Sequence, residues 1–144
     1  MLGKPKLAKY PTVPAIVKTE ILSHPWASKM TPKDFSKWPF ICYSNAIQPS
    51  LWSYKTDEGK SSSINLRPSL YANSASMMKA ACIEGVGAAL LPQFSCMSEV
   101  RDGKLIQILP DYKTTPERGV YVIYPNKKFM PLKVRKFIDM IQQN

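Results

Sequence analysis

Apolar and polar positions along the chain change rhythm several times, and each change predicts an element. Residues 1–20 interleave Pro5, Pro11 and Pro14 with Lys4, Lys6 and Lys9, a proline density that forbids a long helix. A short helical segment and a turn are expected around residues 20–30. Thr31-Pro32-Lys33-Asp34 then has the grammar of a helix start. Thr31 can cap, Pro32 fits the first helical position, and Asp34 suits the positive helix terminus. That helix should end near Trp38-Pro39. The unbroken apolar run Phe40-Ile41-Cys42-Tyr43 predicts a buried strand, and Ser44 to Ser50 a polar loop. Leu51 to Lys55 and Ile64 to Ala72 read as two strands joined by a turn at Asp57-Glu58-Gly59. Pro68 counts against the second of them, because proline sits only at edges or bulges of sheets.

Downstream the period lengthens. Asn73 is placed to cap a helix whose broad apolar face is Met77, Met78, Ala81, Cys82 and Ile83. That helix is expected to pack on the sheet through Met77 and Ala81, and Gly85 can take the left-handed conformation that stops it. Ala88 to Leu91 reads as a strand ended by Pro92. Ser95 to Asp102 reads as a helix stopped by Gly103. Leu105 to Leu109 and Gly119 to Tyr124 are further strands. Pro131 opens a last helix with Val134, Phe137, Ile138 and Ile141 on one face. Strands alternate with helices, which predicts an α/β fold with parallel pairing and a central sheet of about five strands.

Composition changes this picture little. The 144 residues suit one domain, and 44% hydrophobic residues argue against disorder. The net charge of +10 invites an anionic partner, such as nucleic acid, a membrane surface or an acidic ligand. Its cations are dispersed, however: Lys127 and Lys128, then Lys133, Arg135 and Lys136, lie far from the N-terminal lysines. Solvated faces, with the acidic complement elsewhere in a longer protein, explain that pattern better than a dedicated nucleic-acid surface. Three cysteines, Cys42, Cys82 and Cys96, sit in apolar contexts without framework spacing and read as reduced core thiols of a cytoplasmic protein. No apolar run has the length of a membrane span, and the first 30 residues lack the core of a signal peptide.

Candidate chemistry is sparse. His24 is the only histidine, with no carboxylate beside it in sequence, so an acid/base dyad or hydrolase triad is hard to build. No cluster has metal-ligand spacing, and no cofactor is implied. Gly85-Val86-Gly87 runs helix, glycines, strand, the reverse of a dinucleotide fingerprint. Gly85 as a helix stop and Gly87 as a site of close packing is the better reading. Most of the aromatics Trp38, Tyr43, Trp52, Tyr54 and Tyr71 should be core. Tyr43 and Trp52 differ, because they flank the polar loop that follows a buried strand. Ligands of open α/β sheets bind beyond the carboxyl ends of strands. Ser44, Asn45 and Gln48 offer hydroxyl and amide groups there, and Trp52 an apolar wall. An ordinary surface turn is the other reading of the same loop.

Four motifs in order resemble one family. Residues 73–92 run helix, Gly85-Val86-Gly87, then a strand ending Leu91-Pro92. Asp102-Gly103-Lys104-Leu105-Ile106-Gln107-Ile108-Leu109-Pro110-Asp111-Tyr112 follows. Val120-Tyr121-Val122-Ile123-Tyr124-Pro125 and the helix Lys133-Val134-Arg135-Lys136-Phe137-Ile138-Asp139 complete the set. Together they resemble the LysR-type transcriptional regulators. Upstream, Thr31 to Phe35 and Ile41 to Asn45 are similar to that family's preceding helix and strand, with Trp38 where a histidine is usual. The resemblance implies a fold like the type II periplasmic binding proteins, here the second subdomain (about 20–109) plus the C-terminal strand and helix of the first (about 110–144). It implies an effector-sensing module rather than an enzyme, with one side of its small-molecule effector cleft at the same loop, where Tyr43, Ser44, Asn45, Gln48 and Trp52 are the candidate contacts. The basic balance favours an anionic effector. It further implies a homodimer, paired through residues 64–72 and 74–84, and DNA contact only through a helix-turn-helix domain absent from these 144 residues. A basic nucleic-acid-binding protein is the alternative.

Overall fold

A computed structural model describes residues 6–10, 12–18, 29–116, 118–121, 123 and 130–142. In chain order the elements are β1 (Lys6–Tyr10), β2 (Thr12–Lys18), α1 (Pro32–Phe35), β3 (Pro39–Tyr43), β4 (Leu51–Lys55), β5 (Ser61–Asn65), β6 (Arg67–Ala72), α2 (Ala75–Ile83), β7 (Ala88–Pro92), α3 (Gln93–Arg101), β8 (Leu105–Gln107), β9 (Lys113–Thr114), β10 (Arg118–Tyr121) and α4 (Leu132–Gln142). They divide into two compact units, Pro11–Pro116 and Met1–Tyr10 with Glu117–Asn144. The units change over at 10/11 and 116/117. His24, Val122, Tyr124, Lys127, Lys128 and residues 20–28 of the expected early helix lie outside the described residues.

The larger unit is built on a five-stranded sheet of order β6-β3-β7-β2-β8. β3 is parallel to both β6 and β7, whereas β2 runs antiparallel to β7 and β8, so the sheet is mixed rather than wholly parallel. Both faces are covered, which is why β3 is apolar at every central position. Phe40 and Cys42 point into one core with Phe35, Trp52, Tyr54, Leu66, Ala88, Ile108 and Leu109. Ile41 points into the other, with Ala72, Met78, Cys82, Ala89, Leu91, Cys96 and Leu105. The second core is roofed by α2 and α3. Beneath the first lies a three-stranded sheet of order β5-β4-β9.

Several expectations change here. The stretch 64–72 is two strands, not one: β5 pairs with β4 in the small sheet, and β6 pairs with β3 in the large one. Leu66 is the pivot, buried and donating its N–H to the Ser50 carbonyl at 2.7 Å. Pro68 lies on β6, an edge strand, at an irregular point of the β3–β6 register, where its missing N–H costs least. β2 was not expected at all. Pro14 falls where the β2–β7 register shifts, between Val13 and Ile16, so the proline is absorbed by the irregularity. β8 stops at Gln107; Ile108 and Leu109 stay buried but leave the ladder, Leu109 with φ 56°.

Helix starts and stops follow side-chain chemistry. Asp34 N–H donates to the Thr31 hydroxyl (3.4 Å), and the Asp34 carboxylate accepts from Thr31 N–H (3.1 Å), a capping box. The cap of α2 is Ser74, one residue beyond the expected Asn73, its hydroxyl accepting from Met77 N–H at 3.2 Å. At the other end Gly85 has φ 78°, with Gly85 N–H to Cys82 O and Val86 N–H to Ala81 O. Gly103, with φ 73°, repeats that pattern after α3 through Val100 O and Glu99 O. Both are Schellman stops.

Within the broad apolar face expected for α2, the side that enters the core is centred on Met78 and Cys82 rather than on Met77 and Ala81. Met78 (3% exposed) and Cys82 enter the core, while Met77 is 55% exposed and Ala81 only half-buried. One residue is about 100° of helix rotation. Met78→Ala should therefore lower unfolding free energy by about 2–3 kcal/mol, the usual cost of such a cavity, and Met77→Ala by under about 0.5 kcal/mol. Urea denaturation of the pair checks the rotation, and equal losses would contradict it.

The smaller unit contains β1 antiparallel to β10, and α4. Of the apolar face expected on α4, Ile138 is buried and Ile141 half-buried, while Val134 and Phe137 are exposed.

Candidate functional site

Strand direction defines an edge. β3, β6 and β7 are mutually parallel, and their carboxyl ends lie together at Tyr43, Ala72 and Pro92. Ser44 extends the β3–β6 pairing by one residue, its N–H donating to Ala72 O at 2.9 Å. The loop then turns tightly, with Ala46 N–H to Tyr43 O (3.1 Å) and Leu51 N–H to Gln48 O (3.2 Å). The Ser44 hydroxyl donates to Asn45 Oδ1 at 3.4 Å. Ser44, Asn45 and Gln48 are exposed, and Tyr43 is half-buried against the helix-covered core.

Trp52 does not join them as a wall. It is fully buried (0% exposed), with ring centroids 5.6 Å from Phe35 and 4.7 Å from Tyr54. Its indole N–H donates to Thr114 Oγ1 at 3.1 Å. β4 places alternate residues, Trp52 and Tyr54, into the core, so the strand that follows the loop is anchored there.

The same edge receives two helix starts that the residue pattern alone did not assign to the site. α2 begins at Ala75, three residues beyond the end of β6, and α3 begins at Gln93, directly after β7. The first-turn N–H groups of a helix have no intrahelical partner and carry the positive end of its dipole. Asn73, Ser74 and Gln93 therefore belong beside Ser44 and Asn45. The signal that finds them is topology: every helix that follows a parallel strand starts at the carboxyl edge.

Deeper in the unit the titratable groups are structural. Lys79 on α2 meets Glu99 on α3 at 2.7 Å, with side chains 26% and 17% exposed. Hydrogen bonds from Lys79, then from Ser98, hold the Glu99 carboxyl at about 2, down from 4.5. A depressed carboxyl stabilises the fold above its ordinary range and loses that contribution as pH falls towards the folded value. Acid unfolding followed by circular dichroism should thus show stability falling between about pH 4.5 and 2, and Glu99→Gln should flatten that slope. Burial pushes the Cys82 thiol to about 12 and raises Cys42 and Cys96, so these cysteines are poor nucleophiles. Among the described residues no group of three His, Cys, Asp or Glu side chains is placed to hold a metal, and no helix is long and apolar enough to cross a membrane. Hydroxyl, amide and backbone N–H donors at one sheet edge are suited to holding a small polar or anionic molecule.

The profile of the LysR substrate-binding domain matches residues 22–144. The HTH-type transcriptional regulator PtxR of Pseudomonas aeruginosa is 26% identical over 115 residues, 80% of this chain and 36% of that protein. The probable HTH-type transcriptional regulator LtrA of Klebsiella pneumoniae is 22% identical over 143 residues, 98% of this chain and 45% of that protein. The chain spans under half the length of these curated relatives. Among solved structures, a variant of the regulatory domain of AphB from Vibrio vulnificus has a TM-score of 0.81 at 24% identity, covering 99% of this chain and 70% of that one. The regulatory domain of CrgA, a LysR-type transcriptional regulator from Neisseria meningitidis, has a TM-score of 0.78 at 18% identity, covering 99% of this chain and 69% of that one. The chain belongs to the LysR substrate-binding domain family, a family of transcriptional regulators rather than enzymes. Its α/β architecture is that of their regulatory domains.

Proposed function

We propose that this chain is the effector-sensing part of a LysR-type transcriptional regulator and takes a small anionic molecule at the carboxyl edge of its five-stranded sheet. The observation that carries the reading is the match of residues 22–144 to the substrate-binding domain. In this reading the larger unit is the second subdomain, and the smaller unit is the returning part of the first. Ser44, Asn45 and Gln48 offer the polar contacts, Tyr43 the aromatic one, and Trp52 anchors in the core the strand that follows the loop. The first turns of α2 and α3 supply the positive end of two helix dipoles, and the net charge of +10 acts in the same direction. DNA contact falls to a helix-turn-helix domain outside these residues. Copies pair through β6 and α2, where Tyr71 and Met77 are exposed; light scattering showing only monomer at high micromolar concentration would contradict the pairing.

Calorimetric titration with a panel of small carboxylates tests the site. At least one should bind, and Ser44→Ala with Asn45→Ala should weaken it at least about tenfold, given about 1.5–3 kcal/mol per hydrogen bond to a charged group. Unchanged affinity in the double variant would remove those residues from the site. Salt dependence separates the alternative: binding of DNA by this chain alone, lost steeply as salt rises, would favour a nucleic-acid surface.

A further inference from the structure

β4 and β9 tie together two stretches far apart in sequence. β4 leaves the candidate loop directly, and its first residues are anchored by Leu51 N–H to Gln48 O (3.2 Å) and Leu66 N–H to Ser50 O (2.7 Å). β9 is only two residues long and lies two residues before the boundary at 116/117, where the chain leaves the larger unit. Its register on β4 is short, Tyr54 opposite Thr114 and Lys55 opposite Lys113, followed by Thr115 N–H to Ser53 O at 2.9 Å. So short a ladder has few backbone bonds to hold it. Beside the packing of β9 on β2 and the Lys113–Asp57 ion pair at 3.8 Å, the side-chain bond from Trp52 Nε1 to Thr114 Oγ1, 3.1 Å long, is the buried polar link between β4 and β9. The ring that makes it is fixed in the core by Phe35 and Tyr54, and Tyr112, just before β9, stacks edge-on upon Tyr54 at 5.3 Å.

We infer that the Trp52–Thr114 pair is a clasp through which the loop at residues 44–50 and the exit segment at residues 113–116 open as one unit. The coupling stands whether or not the loop holds an effector. If it does, as the functional reading has it, the clasp is the route by which occupancy of the loop reaches the exit segment.

Amide hydrogen exchange on the whole chain, without added ligand, tests the coupling separately from the binding reading. Thr114→Val removes the hydroxyl and keeps the shape. Thr114→Ser keeps the hydroxyl and controls for packing. Thr114→Val should speed exchange about fivefold at Thr115, Leu51 and Leu66 alike, as expected for loss of one hydrogen bond. Lys104, whose N–H is bonded to Glu99 O at the far end of α3, should keep its rate, and Thr114→Ser should match the native chain throughout. Faster exchange at Thr115 alone would overturn the clasp. So would no change anywhere, or an equal rise at Lys104, which would mark a general loss of stability. If Thr114→Val does not fold, Thr114→Ala removes the same acceptor with less bulk and is read against the same amides and the same outcomes.

Discussion

Replacing Trp52 by alanine should cost about 4 kcal/mol of unfolding free energy, among the largest losses expected for any single substitution in this chain. The side chain is fully buried, and three groups depend on it. Phe35 and Tyr54 would each lose a ring partner, and the Thr114 hydroxyl would lose its donor inside a half-buried site. The cavity would open between the two sheets, where backbone pairing on both sides limits collapse. Trp52→Phe should cost less, about 1–2 kcal/mol, because it keeps a ring and removes mainly the hydrogen bond and some volume. Denaturant midpoints measure both. A loss under about 1.5 kcal/mol for Trp52→Ala would mean that the side chain is not the keystone of this core.

Gly87→Ala should cost about 3 kcal/mol, for the opposite reason. A Cβ at position 87 would lie 2.5 Å from the Pro39 carbonyl oxygen, 2.9 Å from its carbon and 3.3 Å from Ser69 Oγ. The first two are backbone atoms and cannot rotate aside, so β7 must shift away from the start of β3. Gly59 and Gly103 make the contrast. Both have positive φ, 80° and 73°, but no atom beyond the adjoining residues lies within 4 Å of a Cβ there. Gly59→Ala should cost about 1 kcal/mol from conformation alone. If Gly87→Ala were as mild as Gly59→Ala, the close approach of β7 to β3 would be wrong.

What the sequence disclosed, and what it hid, follows from the physics of each segment. β3 was legible because a strand buried on both faces is apolar without a break. The α2–Gly85–Gly87–β7 stretch was legible because its cap, stop and close approach each demand particular residues. The rotation of α2 was not, since Met77 and Met78 are equally apolar and only packing selects Met78. β2 was hidden by its own composition. Lys18 and Pro14 lower strand propensity, and the strand is justified only by β7 and β8 on either side of it, a non-local fact. Leu66 gave no sign that it divides a strand between two sheets.

The candidate site was legible in part for the same reason. Strand-end logic finds Tyr43, Ser44 and Asn45 from one segment. Asn73, Ser74 and Gln93 enter only when β6 and β7 are known to flank β3. Trp52 was misplaced because a large aromatic beside a polar loop looks the same in sequence whether it lines a cleft or closes a core. Only its burial and its bond to Thr114, 62 residues away, decide.

Amide shift mapping of the isotopically labelled chain against the carboxylate panel tests the effector-sensing account most directly. The account predicts that at least one carboxylate gives saturable shifts concentrated at Ser44, Asn45, Gln48, Ala75 and Gln93, the polar loop and the two helix starts. Shifts that never saturate, or that spread over the exposed lysines and vanish with added salt, would contradict it.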